Sequence, residues 1–183
     1  NIYDILERGD LLKADLVALS AYKNEIKKEL AAELLVSIAI EAGDCELAYQ
    51  RLSLLKELPE SAYRLFLQAR VFFMQKDYWQ ALTYLENAVK DEVISSASGQ
   101  VQEKIYNLLG QCYRFYGYPD RAAECYYKAF EAVDAQELKV LEYSNYLFNL
   151  HYLPISPEDY FAAHVDYNNL FKGIKEYKHK RKH

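Results

Sequence analysis

Four histidines, three cysteines and 27 Asp and Glu residues are the side chains of this 183-residue chain that could ligate a metal, attack an electrophile or move a proton. Each of those chemistries asks for a spacing. Zinc sites use Cys and His in close pairs, and nucleophilic cysteines need a basic partner. Cys45, Cys112 and Cys125 form no CxxC pair, and their odd number fits no disulfide framework. They read as reduced, small, partly buried residues of a cytoplasmic protein. No HExxH, GxSxG or glycine-rich phosphate loop occurs. His179 and His183 sit in a basic tail and read as solvated, and His164 reads as half-buried or packed on a neighbouring element. The carboxylates recur at helical spacing and read as solvated faces. The expectation is no catalytic residue, no metal, no cofactor, and a chain that is not itself an enzyme.

The elements available to position these residues are helices. Hydrophobic residues make up 51% of the chain and aromatics 15%, with 18 Tyr, but only six Gly and four Pro. Turns are therefore few and elements long, which argues against a sandwich or barrel. No apolar run reaches the ~18 residues of a membrane span, so no membrane partner is expected. No signal peptide is read, and the opening Asn-Ile-Tyr leads to the expectation of a piece of a longer protein. The net charge of -5 is uneven, because residues 172–183 carry six Lys and Arg against Glu176. The remaining body is strongly acidic, which excludes nucleic acid as its partner. The tail reads as a solvated segment or linker.

A repeat organises the helices. With Glu103 as position 1, Tyr106 stands at 4, Leu109 at 7, Gly110 at 8, Tyr113 at 11, Gly117 at 15, Ala122 at 20, Tyr126 at 24 and Ala129 at 27. Small residues at 8, 20 and 27 suit a close helix crossing, and large ones fill the space around it. A unit at Ala62 repeats this with Leu65, Ala69, Phe72, Ala81, Leu85 and Ala88. Residues Asp91–Gly99 read as a loop inserted between these two units. A unit at Glu29 has Leu35, Gly43, Ala48 and Leu52 in register, but Val36 and Leu55 replace the small residues at 8 and 27 and predict a looser crossing. Residues 1–22, with Gly9 and Ala14 in register, read as the end of a further unit. A fifth first helix is expected near 136–150, with Ser144 at position 8. Pro154 ends it. Ser156-Pro157 then starts a last helix over about 157–171, whose Tyr160, Phe161, Val165, Tyr167 and Leu170 are expected on one face.

These eight positions resemble the tetratricopeptide consensus. The resemblance implies an all-α, right-handed superhelix of antiparallel helix pairs over 1–150, with units near 29, 62, 103 and 137. A terminal helix would occupy 151–171 and the basic tail or linker 172–183. It also implies a concave surface lined by positions 2, 5, 9, 12 and 13 of each first helix. In this sequence those are Tyr63, Phe66, Arg70, Phe73 and Met74, then Lys104, Asn107, Gln111, Arg114 and Phe115, then Asn145 and Phe148. Aromatic, Arg and amide side chains there suit an extended peptide. The expected partner is a protein or peptide in that groove, and the tyrosine content makes a homodimer a further expectation.

One segment is more particular. Ser144, Asn145, Leu147, Phe148, Tyr152, Pro154, Ser156, Glu158, Asp159, Phe161, Ala163 and His164 resemble the join between repeats and catalytic region in bacterial and SPINDLY-like O-linked N-acetylglucosamine transferases. The resemblance implies a repeat domain that recruits protein substrates for a glycosyltransferase. A free-standing scaffold or adaptor is the alternative. Vertebrate members of that family carry Asn at position 6 of many repeats, whereas this chain has Leu34, Leu67, Leu108 and Glu142.

Overall fold

The computed structural model describes residues 5, 6 and 8–172, so most of the basic tail, with His179 and His183, lies outside the described residues. In chain order the helices are α1 (Leu11–Lys23), α2 (Lys28–Glu41), α3 (Cys45–Arg51) running into a 3₁₀ turn (Leu52–Leu55), α4 (Ala62–Met74) and α5 (Tyr78–Ala88). A one-turn α6 (Asp91–Ile94) precedes α7 (Gly99–Phe115), α8 (Pro119–Ala132), α9 (Gln136–Leu150) and α10 (Pro157–Asn169). Each helix packs on the next along the chain, except at the one-turn α6, where α5 packs on α7. The first helices α2, α4 and α7 also pack side by side, so consecutive pairs stack.

Local chemistry sets the boundaries. Asp10, Asp44, Ser61, Asp77 and Ser156 each accept a hydrogen bond from the backbone N–H three residues on. That satisfies one of the orphan donors at a helix start. Pro119 and Pro157 open α8 and α10, where a missing N–H costs nothing. Position 15 of the first four units turns the chain through positive φ: Gly9 and Gly43 at 72°, Gly117 at 76°, and Lys76 at 64°, whereas His151 of the last unit stays right-handed. Only Lys76 carries a side chain there, and a left-handed conformation costs an L-residue about 1 kcal/mol. Lys76→Gly is therefore expected to raise stability by roughly 0.5–1 kcal/mol in urea unfolding. An unchanged or lower midpoint would show that the Lys76 side chain stabilises the turn by as much as its backbone costs.

The small-residue register carries the packing. Ala14, Ala48, Ala81 and Ala122 at position 20 are all 0% exposed, as are Ala88 and Ala129 at position 27. At Gly110 the nearest cover is the Tyr126 ring. A Cβ on Gly110 would lie 3.0–3.2 Å from three of its atoms. In the unit at Glu29, the second helix is short and finishes as the 3₁₀ turn, and Val36 and Leu55 are buried. Ion pairs tie successive units together. Arg51 of α3 holds Asp15 of α1 (Nη2–Oδ2 2.8 Å) while donating to the Leu35 carbonyl, and Arg64 of α4 holds Glu29 and Glu33 of α2. The segment expected as a plain loop at Asp91–Gly99 contains α6, whose Ile94 is buried in the core.

The last unit departs from the others. Ser144, at the small-residue position, is exposed, so α10 does not cross α9 there. The inward stripe of α10 is half-buried Tyr160, buried Ala163 and half-buried Tyr167, continued by Leu170 at its C-cap, at alternating steps of three and four. Phe161 (69% exposed) and Val165 (43%) lie off it, contrary to the single face expected. A main core runs from Ala32 to Tyr126, with separate clusters joining α1 to α2 and α8 and α9 to α10.

Candidate functional site

Side by side, α4 and α7 enclose an open hollow of about 380 Å³. Its α4 wall is Phe66, Arg70, Phe73 and Met74, at helical steps that put them on one face. Its α7 wall is Glu103, Lys104, Asn107, Leu108 and Gln111. Seven of the groove candidates therefore meet here: Phe66, Arg70, Phe73, Met74, Lys104, Asn107 and Gln111.

Their presentation differs. Phe66 is buried (4% exposed) and forms floor rather than a projecting ring, with the Tyr63 ring stacked on it at 6.1 Å. Tyr63 is half-buried beside the hollow. Arg70 is half-buried. Its guanidinium lies 5.9 Å over Phe66 and 3.8 Å from the Glu41 carboxylate of α2. Phe73 meets Phe115 edge-on at 5.9 Å, and Phe115 stacks on Tyr78 at 4.4 Å. Beside this stack the exposed Trp79 of α5 stands edge-on to Tyr116 at 6.3 Å. Lys104 is exposed at the rim.

The amides of α7 are held in one orientation. Gln111 Nε2 donates to Asn107 Oδ1 at 2.6 Å, and Asn107 Nδ2 donates to Glu142 Oε1 of α9 at 2.7 Å. Glu142 is 0% exposed, and burial pushes its carboxyl up to about 7. Burial likewise raises Glu103. Sequence reasoning did not single out these two acids. The signal was present for Glu142, which stands at position 6, where Leu67 and Leu108 fill the core in the preceding units.

Arg114 and Asn145 lie elsewhere. Exposed Arg114 borders a second hollow of about 380 Å³ with Phe148, Asn149 and Tyr152. Asn145 is half-buried on α9, and its backbone carbonyl accepts from Asn149 Nδ2 at 2.8 Å. Among the described residues His151 and His164 form no cluster with the cysteines. His151 shares a hydrogen bond with Tyr160 Oη, and His164 is exposed, its ring edge-on to Tyr160 at 4.6 Å, rather than half-buried. Cys112 and Cys125 are free, and burial pushes both thiols up to about 12, which keeps them protonated and poor nucleophiles. Among the described residues no group of His, Cys, Asp and Glu is placed to hold a metal, and no helix is long and apolar enough to cross a membrane.

No protein-family model matches the sequence, and no curated protein does. Solved structures do. The crystal structure of MamA, a tetratricopeptide-type protein, superposes with a TM-score of 0.63 over 91% of this chain and 90% of that one, at 17% identity. A double mutant of MamA RS-1 gives 0.66 over 93% and 89%, at 20% identity. The likeness defines the class: the fold is an all-α helical repeat of the tetratricopeptide type.

Proposed function

We propose that the chain is a protein-interaction module that captures an extended segment of a partner protein in the hollow between α4 and α7, acting by binding and not by chemistry of its own. The observation that carries this is the convergence of an aromatic wall on α4 and an oriented amide ladder on α7 onto one open groove. Rings supply contact area at low entropic cost, and amides satisfy a peptide backbone. The free cysteines support a reducing, cytoplasmic setting. Recovered partners should bind the double variant Lys104→Glu/Gln111→Ala about tenfold more weakly, a loss of roughly 1.4 kcal/mol, with helicity unchanged by circular dichroism. Both positions lie on the groove wall, and neither fills the core. Unchanged affinity would move the site to another face, such as the hollow of Tyr49, Phe72 and Tyr84.

The resemblance of residues 143–164 supports a finer reading, in which the captured partner is a substrate of a protein O-glycosyltransferase. The local structure compatible with it is a helix ending at Leu150, a proline-containing turn and a helix capped by Ser156. Sequencing the parent reading frame tests it. An α/β region of several hundred residues after His183 is the expected result, and a stop near His183 would leave the scaffold reading alone.

A further inference from the structure

Asn107 is anchored by a carboxylate behind the groove, and that carboxylate is in an unusual position. Glu142 is 0% exposed, and its second oxygen, Oε2, is buried with no hydrogen-bond donor. Glu103 stands one helical turn before Asn107 on α7, is 8% exposed, and brings its own carboxyl within hydrogen-bonding reach of Glu142. Neither acid forms an ion pair among the described residues. Two carboxylates are both acceptors and repel each other. A single proton between them supplies the missing donor and turns the contact into an O–H···O bond. Uncompensated buried acceptors are rare, so the proton has a structural task here.

We propose that Glu103 and Glu142 form a proton-binding site that fastens α9 to α7 behind the groove and releases it when the proton leaves. The groups facing the pair are few. On α7, Lys104 lies beside Glu103, with Asn107 bonded to Glu142. On α8, Tyr126 faces Glu142, with Arg114 of α7 near that ring. On α9, Asn145 stands near Glu142 and pulls its carboxyl down. Tyr126 is pushed up to about 12 by burial and stays neutral through the range that matters. The dominant influence on Glu142 is burial. The Asn107 bond pulls the other way, and the Glu103 charge adds to the rise, leaving it at about 7.

The sign follows. In the unfolded chain Glu142 ionises near 4.5, and in the folded chain it holds its proton to about 7. Between those values the folded state binds more protons, so stability falls as pH rises from 4.5 to 7 and levels off above. Above pH 7 the two ionised acids repel, and the ladder from Glu142 through Asn107 to Gln111 loses its fixed end. The effect on partner capture rests on the groove reading above. The titration of the acids does not, so the two can fail separately.

The test is carbon-detected NMR of the glutamate carboxyls of the full chain from pH 4 to 9. One carboxyl is expected to titrate roughly two pH units above the others. Glu142→Gln retains the acceptor for Asn107 and presents an N–H to Glu103, so it should fold, remove that signal and flatten the pH dependence of the urea midpoint between 5 and 7. Glu103→Gln should lower the Glu142 midpoint toward the ordinary range. The proposal is overturned if every glutamate titrates below pH 5, or if the high midpoint persists in both variants.

Discussion

Gly110→Leu is expected to unfold the central pair partly or wholly, while Gly110→Ala is nearly tolerated. The difference lies in what covers the glycine. The nearest atoms to an added Cβ are three of the Tyr126 ring, at 3.0–3.2 Å. A shift of a few tenths of an ångström accommodates one methyl. A Leu adds three more carbons against a ring that is 2% exposed and has nowhere to go. Overpacking of this kind costs ~1–3 kcal/mol, and at this chain length each kcal/mol lowers the melting temperature by about 2–4 °C. Thermal melts of the two variants followed by circular dichroism decide it. A Leu variant melting with wild type would place Gly110 away from the α7–α8 crossing.

The second large effect is expected from the smallest substitution. At Gly99 an added Cβ would sit 2.2 Å from the carbonyl oxygen of Ala132, the last residue of α8. Backbone cannot rotate aside as a ring can. Gly99→Ala must therefore separate the start of α7 from the end of α8 or unwind one of them, at a cost of about 1–3 kcal/mol. Glycine is otherwise a poor residue inside a helix, so the usual sign of Gly→Ala is reversed here. Urea unfolding provides the check. A variant as stable as wild type would mean that the first turn of α7 is free to shift.

These two glycines also mark how far the sequence could be read. Gly110 stands in the small-residue register shared with Ala69, so its crowding was legible, and Tyr126 at position 24 supplies it. Gly99 lies in a Ser-Ser-Ala-Ser-Gly stretch that reads as loop, and only the return of α8 alongside explains why no side chain fits. Lys76 was hidden for a different reason. The turn at position 15 wants glycine, and a lysine there looks like ordinary surface until its φ is known. Of the groove, the α4 and α7 residues follow from the repeat register. Arg114 and Asn145 share that register but border other surfaces. The irregular closing turn after α9 alters what a position faces, as Ser144 also shows. Glu142 was visible as an acid standing where preceding units have leucine. Its pairing with Glu103 spans 39 residues of chain and has no local signature.

The aromatic contact between Trp79 and Tyr116 has an optical consequence. The chain holds a single tryptophan among eighteen tyrosines, and that indole stands at the seam where α5 meets the end of α7. Tyrosine emission overlaps tryptophan absorption, so light absorbed by the nearby rings drains toward one emitter. Its indole is 65% exposed, so its colour is set partly by water and partly by the Tyr116 edge. Excited selectively, that one indole reports on the seam between the units at Ala62 and Glu103, and on no other joint of the stack.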